Sequence, residues 1–147
     1  MLKGVLLVGA ILAVAAAPAF ADPSCGNPPM APAVPSGSDI AGKAPDDAHK
    51  IVLDTLHSVK AYQGSLGMFR SCLMAQSNAA KAAKAEADAK ADKAKADAAT
   101  QQLADLQKMY DRSVDTETQV VTDYSNLHVA YCKMGANLTG CVAAPAH

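Results

Sequence analysis

The stretch AAKAAKAEADAKADKAKADAA, residues 79–99, decides the fold, because it contains only alanine, lysine, aspartate and glutamate. Alanine has the highest helix propensity of all residues, so this composition strongly favours a helix. Three pairs of opposite charges also lie four residues apart, where side chains of a helix meet. These pairs are Lys84 and Asp88, Glu86 and Lys90, and Lys93 and Asp97. With only methyl groups to bury, the stretch predicts a helical spacer that offers no pocket and carries no chemistry.

Apolar stripes with alternating steps of three and four residues lie on both sides of this spacer. The first comprises Val52, Thr55, Val59, Tyr62, Leu66, Phe69 and Leu73. The second comprises Leu103, Leu106, Tyr110, Val114, Glu117, Val121, Tyr124, Leu127 or His128, and Tyr131. Such heptad-like spacing is typical of helices that pack along one face, so each stripe needs a partner.

An antiparallel hairpin lets the two stripes pack against each other. No glycine or proline marks a turn between Gly67 and Gly135, so we place the turn near residue 91 by matching large side chains. This turn sets Val52 opposite the neighbourhood of Ala130, Leu66 opposite Thr116, and Leu73 opposite Met109. The predicted fold is all-α, a long antiparallel helical hairpin that resembles a coiled coil. The alternative is one helical rod of about 90 residues, roughly 135 Å long, that dimerises.

Composition divides the chain into four segments. Residues 1–21 are a predicted signal peptide, in which Lys3 precedes an apolar run and Ala19-Phe20-Ala21 forms a small-x-small cleavage site. Residues 22–45 are rich in proline and predict an irregular, extended arm. Pro45, followed by two aspartates, favours a helix start. The helical hairpin is then predicted over 46–135, and residues 136–147 are a C-terminal tail after a glycine C-cap.

The same features predict the compartment and the class of partner. The apolar run of the signal peptide is shorter than the roughly 20 residues of a membrane span, and no later stretch approaches that length. We therefore expect a periplasmic or secreted protein without a transmembrane anchor, for which peripheral contact with the envelope stays open. The formal net charge of −1, with interspersed signs, disfavours nucleic acid, which requires a basic patch.

The chain has four cysteines, Cys25, Cys72, Cys132 and Cys141. An even number in an exported chain indicates two disulfides, for which three connectivities exist. With the turn near residue 91, Cys72 and Cys132 would lie roughly 33 Å apart along the hairpin, beyond the limit of about 7 Å for a disulfide. The expected pairs are therefore Cys25 with Cys72, and Cys132 with Cys141.

Two pairs of soft metal ligands repeat the spacing of one helical turn, Met68 with Cys72 and His128 with Cys132. These four side chains could bind Cu(I), which prefers thiolate, thioether and imidazole ligands. Oxidation of the cysteines would remove the thiolates, so disulfide formation is the favoured interpretation. We accordingly predict no metal site, and keep the four residues as the ligand set of an alternative copper-binding function.

Catalytic motifs are not found in the sequence. The run Gly64 to Gly67 lacks the spacing of a nucleophile elbow, and the acids of residues 86–97 alternate with lysines, as on a solvated helix face. We therefore predict that the chain is not an enzyme and has no catalytic residue, cofactor-binding residue or cofactor.

Two stretches resemble a group of small exported bacterial helical proteins. Tyr62, Ser65, Leu66, Arg70, Cys72 and Leu73 form the pattern Y-x-x-S-L-x-x-x-R-x-C-L, and Ser113, Val114, Asp115 and Glu117 form S-V-D-x-E. The resemblance covers residues 52–133, implies an envelope location and a helical hairpin, and brings no activity or site residues. The expected function is that of a non-enzymatic structural or interaction protein, which contacts a protein partner or a second copy through its helical stripes.

Overall fold

The computed structural model describes residues 25–135 and 138–141. Its helices are α1 (Gly37–Ile40), α2 (Pro45–Ala89) and α3 (Lys93–Cys132). Helices α2 and α3 are antiparallel and pack against each other, and the described part of the chain contains no strand. The predicted all-α hairpin is therefore confirmed. At about 1.5 Å per residue, α2 is about 67 Å long and α3 about 60 Å.

Several predicted segments lie wholly or partly outside the described residues. The signal peptide (1–21) and the first residues of the arm (22–24) are among them. The tail predicted over 136–147 is described only for residues 138–141.

The turn between α2 and α3 occupies Lys90 to Asp92, at the position predicted from the stripes. Ala91 has a positive φ of 54°, and this left-handed conformation reverses the chain without a glycine. The Asp92 N–H donates to the Ala87 carbonyl at 2.9 Å, and the Asp92 side chain accepts from the Lys95 N–H at 3.2 Å, which caps α3. The alanine-rich stretch is therefore two helix ends joined by a capped turn.

The three charge pairs expected in this stretch are formed. Their N···O distances are 2.6 Å for Lys84 and Asp88, 2.6 Å for Lys90 and Glu86, and 2.7 Å for Lys93 and Asp97. All six side chains are exposed, so each pair adds only about 0.2–0.5 kcal/mol to local helix stability.

The interface between α2 and α3 consists of side-chain rows that repeat every seven residues, as in a coiled coil. On α2 the buried rows are Val52, Val59, Leu66, Leu73, Ala80 and Ala87, and Thr55, Tyr62, Phe69 and Gln76. The stripe predicted for α2 is thus confirmed at every position. On α3 the fully buried row is Ala99, Leu106, Ser113, Val120 and Leu127, and it is flanked by the half-buried Leu103, Tyr110, Glu117 and Tyr124.

The stripe predicted for α3 is wrong at two positions. Val114 and Val121 are 38% and 41% exposed, whereas Ser113 and Val120 are buried in their place. The buried pair continues the seven-residue row of Leu106 and Leu127, and Ser113 is in addition hydrogen-bonded across the interface by Arg70. The rotation of α3 therefore follows the row of Ala99, Leu106, Val120 and Leu127, and the bond from Arg70 satisfies the hydroxyl of Ser113, which this rotation buries.

The register agrees with the prediction to within one helical turn. Val52 packs with Leu127 and Tyr131, and Leu66 packs with Val120. Nearer the turn, Phe69 and Leu73 pack with Leu106. The large side chains thus lie in the half of the hairpin away from the turn, and alanines dominate the half near it.

The proline-rich arm lies along the hairpin, where Ala31 and Val34 pack beside Tyr124. It was predicted to be irregular, and this is wrong for α1, a single helical turn. The Ser36 N–H and hydroxyl both donate to the Asp39 carboxylate, at 2.7 and 2.8 Å. Ile40 at the end of α1 is fully buried against Val52 and Leu127. The arm is therefore an integral part of the core at this end.

Gly37 allows α1 to approach α3 closely. A Cβ atom at this position would lie 2.7 Å from the Cβ of Ala130, whereas a Cβ at Gly64 would meet nothing within 4 Å. Only a residue without a side chain fits between α1 and α3 at this separation.

We expect Gly37→Ala and Gly64→Ala to change stability in opposite directions. Gly37→Ala should destabilise the protein by about 1–3 kcal/mol, because the new methyl group overpacks the contact with Ala130. Gly64→Ala should stabilise it by about 0.5–1 kcal/mol, because alanine costs less entropy than glycine in a helix. Urea unfolding followed by circular dichroism measures both, and a Gly37→Ala variant as stable as the parent would contradict the close approach.

A second pair of variants tests the turn. Ala91→Gly should stabilise the hairpin by about 0.5–1 kcal/mol, because glycine adopts a positive φ without the steric cost that alanine carries. Ala104→Gly, the same change on the exposed face of α3, should instead destabilise by about 0.5–1 kcal/mol. The thermal unfolding midpoints of the two variants should shift in opposite directions, and a fall in both would show that residue 91 is not in the left-handed conformation.

Candidate functional site

A polar cluster crosses the α2–α3 interface near the middle of the hairpin. Arg70 Nη1 lies 2.6 Å from Glu117 Oε2, and the two side chains are only 19% and 23% exposed. Arg70 Nε donates to Ser113 Oγ at 2.8 Å, and Ser113 Oγ in turn donates to the Tyr110 carbonyl at 2.6 Å. The guanidinium also lies over the Tyr110 ring, 5.7 Å from its centroid.

Glu117 is held by both ends of its carboxylate. Its second oxygen accepts from Gln63 Nε2 at 2.9 Å, so α2 supplies two donors to one acid of α3. The hydrogen bond from Arg70, and then that from Gln63, hold the pKa of the Glu117 carboxyl below its ordinary value of 4.5. The carboxylate is therefore charged at neutral pH and stabilises the folded hairpin in that form.

This cluster joins the two stretches that carry the resemblance to exported helical proteins. Arg70 belongs to the first pattern, and Ser113 and Glu117 belong to the second. This contact was not expected from the sequence, although a glutamate on the apolar stripe of α3 indicated that this side chain needed a partner. The bonds from Gln63 and Arg70 to Glu117 connect α2 to α3.

A second cluster lies at the carboxyl end of α3. His128 Nε2 is 3.8 Å from Cys132 Sγ, and Cys132 is bonded to Cys141. The His128 ring lies between two tyrosines, with centroid separations of 6.3 Å from Tyr124 and 6.4 Å from Tyr131. His128, Cys132 and Cys141 are all half-buried and their ligand atoms lie within 4.8 Å of one another.

The disulfides have the connectivity expected from the turn position. Cys25 is bonded to Cys72 and Cys132 to Cys141, with Cα–Cα distances of 5.7 and 5.6 Å. The first bond ties the beginning of the described arm to α2, and the second closes the turn after α3. No cysteine is left free.

Of the four residues in the alternative copper site, the structure brings together only His128 and Cys132. Cys72 packs with its partner Cys25 beside the cluster of Phe69, Leu73 and Leu106. Met68, one helical turn before Cys72, is 72% exposed. The ligand set predicted from sequence is thus divided between two places on the hairpin.

An open groove of about 710 Å³ runs between α2 and α3 next to Cys72. Its walls are mainly alanines, with Gln102, Asp105 and Met109 along the α3 side. The expectation that the alanine-rich stretch offers no pocket is therefore wrong. Methyl groups allow the helices to approach but leave unfilled the volume that longer side chains would occupy.

The outer face of α2, defined here by Gly64, Gly67, Met68 and Ser71, points away from α3 and is exposed. No charged side chain lies on α2 between Lys60 and Lys81 except Arg70, which is directed into the interface. The side chains of this face are therefore small or apolar, and the stretch of α2 around it carries no exposed charge over about five helical turns.

Comparison of the chain with protein-family models, with curated proteins and with solved structures finds no match. Among the described residues, none of the helices combines the length and the hydropathy that crossing a membrane requires.

The Arg70–Glu117 contact predicts a pH-dependent contribution to stability. Glu117→Gln should reduce the free energy of unfolding by about 1–2 kcal/mol at pH 7, because the charge-assisted hydrogen bond from Arg70 is lost. Since the folded pKa of Glu117 is lowered, the difference from the parent should be complete above about pH 5 and disappear as the pH falls through the folded pKa.

Urea unfolding at pH values from 2 to 7 measures this difference. The exposed Asp115→Asn, two residues away on α3, is the matched control and should change stability at pH 7 by less than about 0.5 kcal/mol. A Glu117→Gln variant that is as stable as the parent at pH 7 would contradict the structural role of the pair.

Proposed function

We propose that the chain is a non-enzymatic structural or interaction protein of the bacterial envelope, exported to the periplasm or secreted. Its activity is to present a helical surface to a protein partner or to a second copy. The observation that supports this most directly is the outer face of α2, because such a long run of exposed helix without charge is unusual for a surface that faces only water.

The side chains of this face suit a protein contact. Met68 is 72% exposed, and methionine is enriched in protein interfaces, whose cores are depleted of charge. A Cβ atom built at Gly64 or Gly67 would meet nothing within 4 Å, so the backbone of another helix can approach closely there.

The exposed side of α3 differs in character. Between residues 108 and 123 it carries Lys108, Asp111, Arg112, Asp115 and Asp123. This mixture of opposite charges is the ordinary composition of a solvated helix. The stretch of α2 between Lys60 and Lys81 therefore differs from the charged side of α3, and we assign the partner to the outer face of this stretch.

The export of the chain is supported by two features. All four cysteines form disulfides, and structural disulfides persist in oxidising compartments. Residues 1–21 have the organisation of a signal peptide. Together with the resemblance to exported helical proteins, these features favour the periplasm or the medium as the location.

Site-specific photo-crosslinking in a bacterial host tests both parts of the proposal. A photoreactive phenylalanine is placed at Met68 on the outer face of α2, or at Asp115 on the charged side of α3. We expect a discrete crosslinked species from position 68, in the periplasmic or secreted fraction, and none from position 115. Its mass distinguishes a second copy from a different protein. Absence of an adduct at position 68, or equal adducts at both positions, would overturn the proposal.

A further inference from the structure

The corner where α3 ends gathers three ligand atoms that favour thiophilic metals. His128 and Cys132 lie one helical turn apart on α3, and Cys141 returns to them through a turn in which its N–H donates to the Leu138 carbonyl at 3.1 Å. The imidazole nitrogen and the two sulfur atoms all lie within 4.8 Å of one another. Among the described residues, a search of all histidines, cysteines and acidic residues yields only this group of three that is close enough to hold a metal ion.

Apolar packing surrounds this corner in addition to the disulfide. Leu127 and Tyr131 on α3 are fully buried with Ile40 and Val52. Leu138, Met134 and Cys141 pack against the same cluster. The peptide that carries Cys141 is therefore anchored by Leu138, so the two thiols should stay adjacent when the bond between them is broken.

The separation of the histidine nitrogen from the Cys132 sulfur suits a metal centre. Donor atoms bound to one cation at roughly 2.0–2.3 Å in tetrahedral geometry lie about 3.3–3.8 Å apart. The distance of 3.8 Å between His128 Nε2 and Cys132 Sγ is of this size. Two thiolates with one imidazole form a set that favours Cu(I) and Zn²⁺ over hard cations.

We propose that reduction of the Cys132–Cys141 disulfide converts this corner into a binding site for a thiophilic cation, with Cu(I) as the favoured occupant. A dithiol reductant breaks the S–S bond, transfers two electrons and two protons to the sulfurs, and is itself oxidised to a disulfide. Cu(I) then binds the two sulfurs and His128 Nε2, and the two thiol protons are released to solvent. The same two sulfur atoms thus form a stabilising disulfide when oxidised and bind the metal ion when reduced.

The other disulfide lacks the features of such a site. Cys25 packs against Phe69, Leu73 and Leu106, and among the described residues no histidine or acidic side chain joins Cys25 and Cys72 in a group of three potential ligands. Met68, one turn from Cys72, is exposed to solvent. Metal binding should therefore depend on the second disulfide alone. This inference is independent of the proposed docking face, since crosslinking at position 68 and metal binding at position 128 can fail separately.

The experiment compares two double variants of the full exported chain. Cys25→Ser/Cys72→Ser keeps the proposed site, and Cys132→Ser/Cys141→Ser removes it while keeping the same number of thiols. Each is reduced with a dithiol, desalted without oxygen, and titrated with Cu(I) against the chromophoric chelator bathocuproine disulfonate. We expect one Cu(I) per chain for reduced Cys25→Ser/Cys72→Ser, and none for its oxidised form or for reduced Cys132→Ser/Cys141→Ser.

The histidine ligand is tested in the Cys25→Ser/Cys72→Ser background. His128→Ala should weaken Cu(I) binding at least tenfold, whereas His57→Ala, an exposed histidine on α2, should leave the affinity unchanged. Circular dichroism of each sample should show the same helical signal, because the site requires the folded corner. Equal binding by reduced Cys132→Ser/Cys141→Ser, unchanged binding by His128→Ala, or loss of the helical signal on reduction would each overturn the proposal.

Discussion

The contact of Arg70 with Glu117 and Ser113 is the constraint on which the arrangement of the two helices depends. Apolar rows that repeat every seven residues can pair again after a shift of one heptad, although the turn at residues 90–92 and the matching of large side chains favour one register. A half-buried guanidinium adds a penalty to any shift, because it would lose its carboxylate and remain charged in the interface. The contact therefore reinforces this register, in which Ser113 faces α2 and Val114 faces solvent.

The two ends of the hairpin are stabilised by different means. At the end away from the turn, Ile40, Leu127 and Tyr131 form a core with the arm, and a disulfide closes the segment after α3. Near the turn, the helices meet through alanines, and exposed ion pairs such as Lys84 with Asp88 support each helix separately. The hydrophobic effect thus stabilises mainly one end, and helix propensity maintains the other.

The proposed functions use different parts of this scaffold. The outer face of α2 carries no charge, because Arg70, the only charged residue between Lys60 and Lys81, pairs with Glu117 in the interface. The corner of His128, Cys132 and Cys141 is available because the arm and Leu138 build a core around the end of α3. The proposed docking face and the proposed redox-dependent ligand set therefore occupy separate parts of the hairpin.

The sequence by itself determined the features that depend on neighbours along the chain. Helix propensity and seven-residue spacing predicted α2, α3 and the buried stripe of α2, and the linear geometry of a hairpin then placed the turn and paired the cysteines. The spacing of His128 and Cys132 was also visible. Only the tertiary structure decided the rotation of α3, the Arg70–Glu117 contact, the docking of α1 through Gly37, and the return of Cys141 to His128. These features depend on contacts between side chains that are distant in sequence. The helix propensity and spacing of neighbouring residues carry no information about such contacts.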